Sequence, residues 1–191
     1  MKLPLLALLY AALSLGANPV MATMADAVEL QAIIDMREGD MRKLKVHGTP
    51  IAPVLLAFTD VNGVEMTLAE SNGKFRLVNF WATWCAPCRE EMPELDALNQ
   101  EIGGETFAVM TIATGRNRLS GINEFYAETE ISSLPILLDP KGQLARSMGV
   151  LGLPVTVLLD PEGNEVARLT GGADWNSENA KAVIAAIMAA Y

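Results

Sequence analysis

Two rhythms alternate along this chain: short runs of consecutive apolar residues, and stretches in which apolar positions recur every three or four residues. The first rhythm predicts buried strands and the second amphipathic helices. Strand-like runs, rich in β-branched and aromatic residues, stand at Phe75–Trp81, Thr106–Ile112, Pro135–Leu138, Pro154–Leu159 and Glu165–Leu169. Helical spacing occupies Arg89–Leu98, Gly121–Thr129 with Ile122, Phe125 and Tyr126 on related faces, Gln143–Met148, and the Ala-rich Ser177–Tyr191. Near-continuous apolar strands need cover on both faces, so the pattern predicts an α/β protein whose sheet ends in a hairpin.

Ahead of this core, Leu55–Thr59 and Val64–Leu68 flank Asp60-Val61-Asn62-Gly63, a hairpin signal, and Asn72-Gly73 marks a further turn. Asp139-Pro140-Lys141-Gly142 and Asp160-Pro161-Glu162-Gly163 echo each other as repeated turn chemistry, not as a sequence repeat. Asp26–Lys45 carries Leu30, Ile33 and Ile34 at helical spacing, which predicts an amphipathic helix before the domain proper.

The first 25 residues change the picture. After Met1-Lys2 no charge appears from Leu3 to Ala25, with a leucine-rich centre, so the expectation is an export segment. Cleavage after Ala22 or Ala25 would make it a signal peptide; retained, the stretch is long enough to anchor the chain in the inner membrane, although Gly16, Asn18 and Pro19 interrupt it. Both alternatives place the remainder on the exported side. The expected division is therefore 1–25 signal peptide or anchor, 26–52 helix and connector, and 53–191 one domain. Net charge is −9, with acids and bases interspersed, which excludes nucleic acid as a natural partner.

The chain has only two cysteines, and they stand in Trp84-Cys85-Ala86-Pro87-Cys88, between a predicted strand and a predicted helix. A disulfide between them closes a tiny loop and is a poor staple, because entropic stabilisation grows with loop length. As a reversible dithiol it is better placed. Cys85 falls at or just before the helix start, where unpaired amides and the helix dipole favour a thiolate, so it is the expected attacking sulfur; Cys88, one turn on, is the resolving one. Pro87 sits where a first turn tolerates a missing N–H and brings no charge. A moderate thiolate shift then places the pair toward the reducing end, nearer about −270 mV than about −120 mV.

The residues Val78-Asn79-Phe80-Trp81-Ala82-Thr83-Trp84-Cys85-Ala86-Pro87-Cys88-Arg89-Glu90-Glu91-Met92-Pro93 resemble the TlpA/ResA branch of thioredoxin-like proteins, TlpA in particular. The likeness extends upstream to Phe58–Ala69 and downstream to Gly149–Thr156 and Gly172-Ala173-Asp174-Trp175. It implies a thioredoxin fold, a central mixed sheet flanked by helices with an N-terminal hairpin extension. It also implies a periplasmic thiol-disulfide reductase of partner proteins, in cytochrome c or oxidase copper-site maturation, recharged by a membrane donor of the DsbD/CcdA kind. Leu153-Pro154 matches the family's cis proline, beside which the backbone would pair with a substrate strand. Asn79 stands where thioredoxin carries a buried acid, and Glu91 matches an acid with a proton-handling role in relatives.

Several residues admit a plainer reading. Glu91 in the first turns of a helix is equally a solvated acid attracted by the dipole. Trp84 either shapes the docking face around Cys85 or is an ordinary buried aromatic. Trp81, Phe80 and Trp175 read as packing residues, and His47, the only histidine, as part of a connector. The expected substrate-binding set is Trp84, Pro87, Leu153 and Pro154, with no cofactor and no resident metal. Two competing functions remain: a Cu(I)-handling module that holds the ion through both thiolates, and a disulfide oxidase or isomerase that differs only in potential. A closed zinc site is excluded, because the chain offers three Cys and His ligands where four are wanted.

Overall fold

The computed structural model describes the backbone of residues 19–191 and the side chains of residues 27–191. The export or anchor segment expected at 1–25 lies outside the described residues, except for its end, where helix α1 (Pro19–Asp35) begins. Among the described residues no helix is long and apolar enough to cross a membrane.

Eight strands form one sheet in the order β1-β8-β7-β4-β5-β6-β2-β3. Central β4 (Phe75–Trp81) is buried along its whole length and pairs parallel with β5 (Phe107–Thr114) and antiparallel with β7 (Val155–Leu159). Beyond β5 comes parallel β6 (Ile136–Asp139), and beyond β7 antiparallel β8 (Glu165–Thr170), so the sheet is mixed, as expected. The anticipated N-terminal hairpin is present as β2 (Phe58–Thr59) and β3 (Glu65–Met66), attached to β6.

Side chains alternate across β4 and sort the core into two layers. Val78 and Phe80 join Val155, Val157 and Leu159 in an apolar layer capped by Leu144 and Ala145 of α4 (Gln143–Ser147). Leu77 and Trp81 face the opposite way, with Leu95 and Leu98 of α2 (Ala86–Ile102), Ile122 and Phe125 of α3 (Leu119–Glu128), and Val183 and Ile184 of α5 (Glu178–Ala190). Asn79 lies between Leu77 and Trp81 on that second face, wholly buried, opposite Thr111 of β5 and Thr156 of β7. One polar line therefore crosses an apolar sheet at the level of the cysteines.

The N-terminal stretch differs from its sequence pattern. Helix α1 stops at Asp35, and a 3-10 turn over Gly39–Lys43 buries Met41. The presumed connector then forms β1 (Lys45–Ile51), an edge strand on β8. His47 belongs to that strand, where its Nε2 lies 2.9 Å from Glu165 Oε1. The cause is that an exposed edge strand lacks the apolar run that marks a buried one.

Candidate functional site

Cys85 is the N-cap of α2 and Cys88 lies in its first turn, joined in a disulfide with the Cα atoms 5.3 Å apart. The Cys88 backbone N–H donates to Cys85 Sγ at 3.3 Å, so an amide that the helix leaves unpaired is aimed at that sulfur. Cys85 keeps 6% of its surface exposed and Cys88 none, so solvent reaches only the first sulfur. Pro87, the second helical residue, is exposed.

The loop leading to Cys85 is pinned from the β5–α3 connection. Asn117 Oδ1 accepts from Thr83 N at 2.8 Å and from Thr83 Oγ1 at 3.0 Å, and Trp84 Nε1 donates to Arg116 O at 3.2 Å. That bond holds the Trp84 ring out, 67% exposed, and overturns the buried-aromatic alternative. Trp81 and Phe80 are core residues. Trp84 borders a groove of about 350 Å³ with Val150, Leu151 and Leu153, flanked by Lys141 and Arg146. Leu151 is 99% exposed there. The Leu153–Pro154 bond is cis, Leu153 is half-buried and Pro154 is buried.

Glu91 is not a solvated helix acid. Its side chain faces the sheet, 2% exposed, where Oε1 accepts from Asn79 Nδ2 at 2.7 Å and Oε2 accepts from Ala173 N and Trp175 Nε1, both at 3.0 Å. Burial pushes its pKa up from 4.5 to about 7, the largest effect, against which the three donors pull down. Asn79 Nδ2 also reaches Thr156 Oγ1 at 2.9 Å, while Asn79 Oδ1 has no partner. Three residues after Cys88, Glu91 shares its side of the helix. The structure thus brings Cys85, Cys88, Trp84, Pro87, Leu153 and Pro154 to one end of the sheet, with Glu91 beneath them.

Sequence reasoning missed three features here. Trp175, read as packing, is a buried hydrogen-bond donor to Glu91; its place in Gly172-Ala173-Asp174-Trp175 was the available signal. Leu151 and the Lys141/Arg146 pair carried none, because the α4 loops meet the cysteines only in the folded chain. Among the described residues no group of three or more His, Cys, Asp or Glu is arranged to hold a metal ion.

The chain is similar to known proteins in sequence and in fold. The profile of the redoxin family matches residues 46–184, well over half of the chain. The thioredoxin-like protein YneN of Bacillus subtilis is 35% identical over 103 residues, 54% of this chain and 60% of YneN. The thiol-disulfide oxidoreductase ResA of Geobacillus kaustophilus is 34% identical over 113 residues, 59% of this chain and 64% of ResA. The chain spans less than two thirds of the length of these curated relatives. Among solved structures, one described as a thiol:disulfide interchange protein DsbE from Chlorobium tepidum aligns with a TM-score of 0.64 at 24% identity. It covers 75% of this chain and 99% of its own, a likeness of fold.

Proposed function

The chain belongs to the redoxin family, in its TlpA/ResA-type branch, and from that premise we propose that it is a thiol-disulfide oxidoreductase that reduces disulfides of partner proteins through Cys85 and Cys88. One observation carries the reading: of two linked sulfurs, the one at the helix N-cap meets solvent and receives a backbone N–H, while the other is sealed.

The chemistry follows from that asymmetry. In the reduced protein the Cys85 thiolate, favoured by the Cys88 amide and the helix dipole, attacks a partner disulfide. A mixed disulfide forms, and the first partner sulfur leaves as a thiolate that takes up a proton. Cys88 then loses its proton and attacks Cys85 Sγ, which restores the disulfide seen here and releases the second partner thiolate. Two electrons pass from protein to partner. Glu91, with a pKa raised to about 7 and on the Cys88 side of α2, is in our reading the acceptor of the Cys88 proton. Asn79 suits that role: turned over, its unpartnered Oδ1 accepts from protonated Glu91, whereas its amide donates to the carboxylate.

The partner docks across Trp84, Pro87, Leu153 and Pro154. The exposed Leu151 and the flanking Lys141 and Arg146 favour an extended segment with an apolar residue next to its cysteine and acids beyond. The protein works on the periplasmic side, free or anchored through residues 3–25, in cytochrome c or oxidase copper-site maturation. A membrane dithiol donor of the DsbD/CcdA kind returns it to the reduced form.

The test is the equilibrium reduction potential of the Cys85/Cys88 pair against defined thiol buffers. A value at or below about −230 mV is expected for a reductase; about −120 to −180 mV makes the protein an oxidant or isomerase. Absence of any interconverting dithiol sinks the redox reading and leaves Cu(I) binding by the two sulfurs.

A further inference from the structure

The 3-10 turn Gly39–Lys43 lies outside the stretch matched by the redoxin profile, yet it reaches the loop that holds Glu91. Four backbone groups of that loop, between β8 and Trp175, bond to partners outside it. Gly171 N donates to Pro154 O at 2.9 Å and Ala173 N to Glu91 at 3.0 Å. Gly172 O accepts from Lys43 Nζ at 2.5 Å, and Asp174 N donates to Asp40 Oδ2 at 3.2 Å. Lys43 and Asp40 also pair with each other at 2.8 Å.

On its inner side the loop is pressed against α2: a Cβ on Gly172 would come within 3.3 Å of Pro87 O and 3.8 Å of Glu91 Oε2. On its outer side the turn has a fixed base. Met41 and Leu44 are buried in the α2/α5 core layer, and Glu38 N donates to Asn179 Oδ1 at 2.8 Å while Asn179 Nδ2 donates to Met36 O at 2.8 Å. An exposed ion pair contributes little stability by itself. Here it fixes the position of two N–H groups that bind one buried carboxylate.

We infer that Asp40 and Lys43 are positioning residues of the redox site, clamping the Gly171–Asp174 loop onto α2 and thereby setting the proton affinity of Glu91. The inference rests on the reading of Cys85/Cys88 as a redox couple. The charged groups around the cleft that borders Glu91 are Glu90 and Glu94 from its own helix, Asp174 from the loop and Asp40 from the turn, and Lys43 acts on Glu91 from the same turn. β4 and β7 contribute only the uncharged Asn79 and Thr156. Lys43 is the cation of that set, and its field favours the Glu91 carboxylate.

Two substitutions separate this clamp from the field of its charges alone. Lys43→Gln removes the cation and weakens the hold on Gly172 O, so the Glu91 pKa rises by roughly one pH unit, a tenfold change in proton affinity. Asp40→Asn deletes a negative charge, which by its field alone would lower the pKa, but it also releases Lys43 and slackens the hold on Asp174 N, so the clamp predicts a rise, smaller than in Lys43→Gln. The fields of the two charges alone would move the pKa in opposite directions. The readouts are the carbon-13 carboxyl titration of Glu91 and the pH at which the potential of the Cys85/Cys88 couple changes slope. Lys43→Arg restores the wild-type curves, and Lys181→Gln, a lysine paired instead with Glu101 and Glu178, leaves them unmoved. Coincident curves for wild type and Lys43→Gln, or an Asp40→Asn pKa at or below the wild-type value, overturn the inference. If the wild type shows no couple, the functional reading fails while the carboxyl titration still decides the clamp.

Discussion

The two flanks of the disulfide are built from opposite materials. On one side Asp40, Glu90, Glu94 and Asp174 surround a cleft of about 380 Å³ beside Pro87, and a buried carboxyl with three donors lies at its base. On the other side Trp84 and Leu151 stand exposed, and the charges that line the groove, Lys141 and Arg146, are both cationic. A chain with a net charge of −9 has collected positive side chains beside one flank of a single reactive pair. The difference teaches a division of labour: the acidic flank suits proton traffic around Cys88, and the apolar, cationic flank suits contact with a partner at Cys85.

The harshest way to test that division is to remove each sulfur. Cys85→Ser should reduce turnover of a peptide disulfide to background, because the accessible nucleophile is gone. Cys88→Ser should leave the first attack intact and stop at a mixed disulfide, which a shift in mass on non-reducing gels detects. Equal loss without a trapped species in Cys88→Ser contradicts the assignment of roles.

Glu91→Gln breaks the acidic flank alone. The folded pKa of Glu91 lies above its unfolded value of 4.5, so the group contributes stability that is present below pH 4.5 and lost as pH rises through about 7. Across that window the oxidised wild type should lose about 3 kcal/mol relative to Glu91→Gln, read from denaturant melts at a series of pH values. Parallel pH curves for the two proteins contradict a buried, proton-binding carboxyl. The pH dependence of turnover near 7 should flatten in the same variant.

Trp84→Ala and Leu151→Ala break the other flank. Each removes an exposed apolar side chain whose burial by a partner is worth about 1.5–3 kcal/mol, so KM for a protein disulfide should rise roughly tenfold or more while the potential stays unchanged. The smallest effect is expected from Lys141→Glu with Arg146→Glu: a few-fold preference for acidic peptide disulfides over basic ones should reverse, and fade in high salt. A preference that survives charge reversal assigns selectivity to the apolar residues.

The two Asp-Pro-x-Gly turns show how far sequence reasoning reaches. Both read as the same turn, and in both the Asp carboxylate accepts backbone N–H groups. Asp139 binds Gln143 N and Ala145 N and so opens α4, whereas Asp160 binds Asn164 N and turns β7 into β8. The local chemistry was legible; its continuation depended on what followed in space. The same holds at the site. The strands around the motif and the helix start at Cys85 were determined by the sequence, because apolar period and capping act over a few residues. Tertiary structure decided the rest. Glu91 and Trp175 are 84 positions apart, and Lys43 and Gly172 are 129 apart. Whether Glu91 is a surface acid or a buried one depends on which distant backbone covers it. One residue's sequence neighbours do not specify its dielectric surroundings or its donors; the packing of α2, the sheet and the N-terminal turn around it does.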